Sequence, residues 1–478
     1  MRSYAYDRLS VVDNSFLAIE SPTTHQHIAA VMVLDARQVS RPDGGIDIDT
    51  IRTYITSRLH LIPRYRQHLT TVPLGNRLLW IDDEHFNIHY HVRHTSLPRP
   101  GDERQLKRLA ARIVSQQLDR AKPLWEIWVI EGLEGNRFAM VAKTHHCMVD
   151  GISGVDLLAV MLNPTASADF TEGPTWIPRP APTPLQIFRD EWLRRLREPL
   201  ELCWETPCSF RSPTRIMSNL WESVSALGET LGAAARPASP TPINLPIGPH
   251  RRYDWLTIDL AAVKAVKDRL GGTVNDIVLA TVAGALRSFL EGRRVNVDVL
   301  DIRASIPVSI RTDEQRGTLG NQIALWMLDL PVAERDARRR LQKVRENTAR
   351  LKESRQTLGA QVLAAVSEWT STTLLSLAVR LTTRSRPFNL VVTNVPGPQI
   401  PLYLLGAELR ECYPMLALLP NQALGVALFS YAGKLCWGFI ADWDLIPDLH
   451  EFVDAIASSF RELQVAAGVY PNFRSSTT

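Results

Sequence analysis

Two proline-rich stretches limit how this chain can fold. "PTASADFTEGPTWIPRPAPTP" (164–184) and "RPASPTPINLPIGPHRR" (236–252) are aperiodic and dense in a residue that fixes φ and lacks an amide donor, so neither can run through a sheet or helix interior. They divide 478 residues into a first unit (1–162), a connection (163–250) and a second unit (251–478). Within the connection, "PLQIFRDEWLRRLREPL" has helical spacing, with Leu185, Phe188, Trp192 and Leu196 as its apolar stripe. The first unit mixes strand-like runs ("HIAAVMVLD") with basic helical ones ("DERQLKRLAARIVSQQL"). The second repeats the mixture, with "YDWLTIDL" as a strand, "AAVKAVKDRL" as a helix stopped by Gly271, and "NDIVLATVAGALRSFL" as another helix. The fold class expected is α/β, two domains joined by a long, partly helical linker.

Composition removes several functions. Hydrophobic residues at 45% and charged residues at 22% are those of a globular chain, and a net charge of +4 gives no nucleic-acid field. Five cysteines form no CxxC pair and cannot all pair within one chain, which fits reduced thiols in the cytoplasm. The opening "MRSYAYDRLSVVDNSF" lacks the apolar core of a signal peptide. The longest apolar candidate for a span, "TTLLSLAVRL" (372–381), is too short for a bilayer.

The chemistry concentrates in "KTHHCMVDG" (143–151). The preceding "RFAMVAKTHH" reads as an interior strand, whose side chains alternate faces. His145 then shares a face with Ala139, Val141 and Lys143, and His146 shares the other with Phe138, Met140 and Ala142. Adjacent histidines on opposite faces do not hold one metal ion. His146, on the face without the lysine, is the candidate for proton transfer, since imidazole titrates nearest neutrality. Asp150 and Gly151 suit a polar turn, and "ISGVDLLAVML" reads as the next helix. A single histidine at a strand end is more often a hydrogen-bonded packing residue, and Cys147 shows no activating neighbour in sequence. The pairs His25/His27 and His89/His91 have same-face strand spacing but no cysteine or carboxylate cluster, so no metal is expected.

HHxxxDG resembles the signature of the acyl-CoA-dependent acyltransferase superfamily. "LSVVDNSFLAIESPTTHQHIAAVMVLD", "RAKPLWEIWVIEGL", "TVNDIVLA", "SIPVSIRTDEQRGTLGNQ", "VVTNVPGPQIPLY" and "SYAGKLCWGFIADWDLIPD" resemble one of its branches nearly end to end. That branch is the bacterial wax ester synthase/diacylglycerol acyltransferases, especially mycobacterial triacylglycerol synthases. The resemblance implies two chloramphenicol-acetyltransferase-like domains with mixed sheets flanked by helices, and an active site in a channel between them. It makes His146 the general base, with His145, Asp150 and Gly151 supporting it. It makes Pro123, Leu124 and Trp125 (PLW) a packing element near the channel. Asn275 and Asp276 (ND) open a helix, Asn275 as cap or oxyanion donor and Asp276 as a structural residue. Ser305, Ser309 and Arg311 fall near the site, while "TNVPGP" reads as a turn.

The implied reaction is direct transfer from a long-chain acyl-CoA, a substrate and not a cofactor, to diacylglycerol. The alternatives are a long-chain alcohol as acceptor (wax ester synthesis) or a lipid-binding member with little turnover. No cofactor is implied. A cytoplasmic protein touching the inner membrane or lipid droplets is expected, the helix at 185–196 being one candidate contact. The basic helix in "RDARRRLQKVRENTARLK" carries Leu341, Val344, Thr348 and Leu351 on one stripe, its cations reading as a solvated face before a CoA site.

Overall fold

The computed structural model describes residues 6–42, 44–71, 78–148, 160–190, 192–193, 237–309, 323–353 and 386–469. Asp150, Gly151, the expected helix after them, Leu196, Arg311 and the 372–381 stretch lie outside these residues. The strands are β1 (Tyr6–Arg8), β2 (His27–Asp35), β3 (Gln67–Thr71), β4 (Leu78–Asp82), β5 (Val92–Ser96), β6 (Trp125–Leu133), β7 (Arg137–His145) and β8 (Arg251–Asp259). They continue with β9 (Ile302–Ser309), β10 (Ile323–Leu330), β11 (Leu390–Pro396), β12 (Tyr403–Leu404), β13 (Ala407–Met415), β14 (Leu424–Tyr431) and β15 (Lys434–Asp442). The helices are α1 (Val11–Ile19), α2 (Ile48–Arg58), α3 (Ile88–His91), α4 (Glu103–Ser115), α5 (Leu260–Leu270), α6 (Val274–Gly292), α7 (Ala337–Glu353) and α8 (Leu449–Ala467).

Two mixed six-stranded sheets carry the architecture, ordered β12-β13-β2-β7-β6-β5 and β10-β9-β11-β14-β15-β8, beside a small sheet β1-β4-β3. Strand alternation divides β7 as its sequence requires. Ala139 and Val141 enter a core shared with the second domain, while Phe138, Met140 and Ala142 pack with Met32, Leu34 and α2 residues Ile51, Tyr54 and Ile55. The shared core is filled on the first side by α4, which begins in a reciprocal capping box between Asp102 and Gln105. The 19-residue α6 is buried over most of its length. Among the described residues no single helix is long and apolar enough to cross a membrane.

The two sheets are interlocked. β13, from late in the chain, crosses to the first sheet and runs antiparallel to β2, with Met415 opposite Ala29. Its Tyr413 remains tied to the second sheet, the ring stacked on Trp255 at 4.8 Å and the hydroxyl 2.9 Å from Thr257 Oγ1. The Tyr253 hydroxyl donates to the Tyr413 carbonyl at 3.0 Å. From β8, Arg251 donates to the Thr23 carbonyl at 2.5 Å, and Lys107 of α4 pairs with Asp254 at 2.7 Å.

This crossing dictates a glycine. A Cβ on Gly438 of β15 would fall inside the Pro414 carbonyl. The neighbour is backbone and cannot rotate away, so overpacking cannot relax locally. Gly438→Ala is therefore expected to destabilise the protein by about 1–3 kcal/mol, read as a lowered Tm in thermal melts, whereas Gly433→Ala, with open space around its Cβ, incurs only the strain of φ +80°.

Candidate active site

The site forms where β7 ends. Register places His145 opposite His27 of β2, and the chain then leaves the strand in a tight 3-10 turn, His146–Met148. Two backbone bonds fix the exit: His145 N–H donates to the Leu124 carbonyl at 3.0 Å and His146 N–H to the Gln26 carbonyl at 2.8 Å. Leu124 is thus a direct backbone support of the motif. Pro123 is buried beside it. Trp125 fills the space behind, 1% exposed, its indole N–H on the Tyr65 carbonyl at 2.8 Å and its ring stacked on His91 at 4.6 Å.

The two histidines diverge. His145 points into a sealed polar cluster: its Nδ1 accepts the Cys147 N–H at 3.1 Å, which leaves the ring proton on Nε2, 3.6 Å from Glu20 Oε2. That separation allows Coulomb attraction but is long for a hydrogen bond. Glu20 caps the end of α1, and its carboxylate is 1% exposed. Burial drives this carboxyl upward, yet His145 and Arg120 at 2.5 Å outweigh it and hold the group at about 2. His27 stays neutral: burial pushes its pKa well down, and its Nε2 accepts the Leu118 N–H at 3.4 Å. Lys143, also buried, donates to the Ile113 and Gln116 carbonyls at 3.1 Å and faces Glu126 at 3.4 Å.

His146 turns to the other side and stacks on Phe16 of α1, ring centroids 3.9 Å apart. Its Nδ1 is enclosed and has no hydrogen-bond partner among the described residues. The residue is half-buried, so part of its surface remains accessible. Burial lowers the imidazole to about 4, with the neighbouring His145 adding to the shift and contact with its own backbone opposing it. At neutral pH the ring is uncharged, with a lone pair free to accept a proton.

Several expectations change. The cap of α6 is Thr273, in a capping box with Asp276, so Asn275 is not the cap. Asp276 accepts from Thr273 N–H, Thr273 Oγ1 and Thr348 Oγ1, each at 2.8 Å, and so ties α6 to α7. No hydrogen bond joins Asn275 to the histidines among the described residues. His89 and His91 lie on the short helix α3 and not on a strand, and His91 is a packing partner of Trp125 and Phe86. Described His, Cys, Asp and Glu residues form no metal-holding group. Burial raises the Cys147 thiol well above its usual range, which removes it as a nucleophile. β11 extends through Pro396, so "TNVPGP" begins as strand. Ser305 is fully buried on β9 with its hydroxyl unpartnered among the described residues. The residues missed by sequence reasoning are Glu20, Phe16 and Arg120. Helical spacing gives "DNSFLAIE" its shape, but nothing in it announces a carboxylate aimed at β7.

Paired sheets sharing an exchanged strand, with a sheltered histidine at a strand end, define a two-domain acyltransferase architecture. The chain belongs to the wax ester synthase/diacylglycerol acyltransferase family: its catalytic-domain description matches residues 9–278 and its C-terminal-domain description residues 319–464. A putative diacylglycerol O-acyltransferase of Mycobacterium tuberculosis is 31% identical over 476 residues, covering 96% of this chain and 90% of the relative. A probable diacylglycerol O-acyltransferase of the same species, tgs1, is 30% identical over 464 residues and 96% of each chain. The structure of a wax ester synthase/diacylglycerol acyltransferase from Marinobacter aquaeolei VT8 superposes with TM-score 0.68 at 26% identity, covering 96% of this chain and all of that one. The starter condensation domain of rhizomide synthetase shares the fold, with TM-score 0.59 at 14% identity and coverage of 97% and 95%.

Glu20 carries a pH signature. Its folded pKa of about 2 lies below the ordinary 4.5, so its stabilisation is complete above pH 4.5 and fades as pH falls through 2. The Tm gap between wild type and Glu20→Gln should be widest near pH 6 and close as the pH approaches 2. A gap constant with pH would mean that Glu20 is not held ionised by its neighbours.

Proposed function

We propose that this chain is an acyl-CoA-dependent diacylglycerol O-acyltransferase in which His146 is the general base of direct transfer. The single observation that carries the mechanism is His146 itself: neutral, stacked on Phe16, closed at Nδ1 and accessible in part. With Nδ1 sealed, Nε2 is the nitrogen left for substrate. It takes the proton of the acceptor hydroxyl as that oxygen attacks the thioester carbonyl. The tetrahedral adduct collapses with cleavage of the C–S bond, and the imidazolium returns its proton to the departing CoA thiolate. A base of low pKa in a dry site holds the imidazolium only while the oxyanion is present, which ties proton transfer to acyl transfer.

Diacylglycerol is favoured because the mycobacterial relatives carry that name; the Marinobacter protein's name, wax ester synthase/diacylglycerol acyltransferase, keeps a long-chain alcohol as the second reading. Contact with a lipid surface is part of the proposal. The helical stretch at 184–190 buries Ile187 against Tyr6, Leu79 and Ile81 and leaves Leu185 76% and Phe188 44% exposed, and Trp192 just beyond it is 59% exposed. An amphipathic element with that outward face suits insertion between lipid headgroups. The site would then face the inner membrane or lipid droplets from the cytoplasm.

The test is CoA release from palmitoyl-CoA with dioleoylglycerol or hexadecanol. Wild type should require an acceptor, the faster acceptor naming the activity. His146→Ala should lower kcat by about 10²–10⁴-fold. Since the folded pKa is below the free value, kcat/KM should hold on the acid side until the pH falls to about 4. Equal activity in mutant and wild type removes His146 as the base; lipid binding without turnover in wild type favours a binding protein.

A further inference from the structure

We infer that an open groove on the second domain binds the phosphorylated nucleotide end of a CoA thioester, an inference that rests on the acyl-CoA donor proposed above. The groove, about 770 Å³, lies between the α5–α6 turn and α7. Four cations line it: Arg269, Arg338, Arg345 and Lys352. Three of them, Arg338, Arg345 and Lys352, recur every seven residues on α7. Seven residues are about two turns, so these cations form one ridge with a rise of roughly 10 Å between neighbours. The adjoining stripe, Leu341, Val344, Thr348 and Leu351, is buried and fixes the rotation of the helix, with Leu341 and Thr348 also lining the groove.

The charge balance of the groove is one-sided. None of the four cations has a carboxylate within ion-pair distance among the described residues, whereas nearby Lys267, Arg340 and Lys343 are each paired. The carboxylates of the groove are committed elsewhere. Asp276 is saturated by Thr273 and Thr348, and Glu346 accepts from Gln342 Nε2 at 3.0 Å. Arg345 and Arg338 are also held in place, donating to the carbonyls of Leu270 and Ala466. The turn is shaped around Arg345. Gly271 and Gly272 have φ +79° and +97°, and a Cβ on either would come within 3.0–3.1 Å of that side chain. Glycine at both positions lets the backbone close on the arginine, leaving it oriented and with no carboxylate partner among the described residues.

Fixed guanidinium groups suit phosphate esters, which they can meet with paired N–H donors, and their planar faces suit a purine. None of the large exposed apolar side chains lines the groove, so it lacks what insertion into a bilayer needs. A soluble polyphosphate fits better than a lipid headgroup. CoA, with a 3′-phosphate and a diphosphate on one nucleoside, is the ligand of that class which the proposed reaction supplies.

The experiment is calorimetric titration of CoA, 3′-dephospho-CoA and phosphatidylcholine vesicles containing phosphatidate into wild type and Arg345→Gln/Lys352→Gln. Both positions are exposed, and unchanged thermal melts verify folding. Wild type should prefer CoA to its dephospho form, and the double variant should lose at least about tenfold in CoA affinity, two charged contacts being removed. The KM for palmitoyl-CoA should rise in parallel. Unchanged CoA affinity in the double variant overturns the inference, as does a loss confined to phosphatidate vesicles. The two readings fail separately: normal turnover with unchanged KM in the variant sinks the groove alone, while groove-dependent CoA binding without acyl transfer sinks the donor reading alone.

Discussion

Glu20 is the charge around which the end of β7 is organised. A carboxylate at the close of α1, sealed from water, costs several kcal/mol unless opposite charge and polarised groups surround it. Arg120 and His145 do so here. The result is mechanical as much as electrostatic. It holds α1 against the turn after β7, and α1 in turn presents Phe16 to the ring of His146. One histidine of the pair is thus spent on structure, and the other is placed in an apolar setting where it stays neutral.

The interlocked sheets supply the second requirement, a fixed relation between the two domains. β13 belongs by hydrogen bonding to the first sheet and by Tyr413 to the second. Domains joined only by a linker could slide; domains that share a strand and a continuous core hold their relative position. That rigidity fits a reaction whose catalysis depends on alignment and on preset dipoles more than on a covalent intermediate.

Much of this was legible in residue order, for identifiable reasons. Alternation along "RFAMVAKTHH" separates His145 from His146 because a strand has no other option, and the two cores receive the two sets of side chains. The stripe at Leu341, Val344, Thr348 and Leu351 is local periodicity and is buried as expected. What failed depends on partners distant in sequence. Spacing alone could not show that "IHYH" coils into a helix so that His91 can stack on Trp125. Nor could it show that the helix after Thr183 packs through Ile187. The α6 cap lies two residues before Asn275, where Thr273 finds its reciprocal partner in Asp276. The exchange of β13 leaves its trace only in Gly438, which looks ordinary until the Pro414 carbonyl is placed above it.

His146 is a neutral, half-buried imidazole set apart from His145, whose ring faces Glu20. The most direct measurement is a pH titration of the imidazole nitrogens by NMR in protein carrying ¹⁵N-histidine, with the His146 signals assigned by their loss in His146→Ala. The account predicts a neutral His146 ring across the range above about pH 4. A His146 that gains its proton near pH 6.5, as a solvated imidazole does, would contradict it.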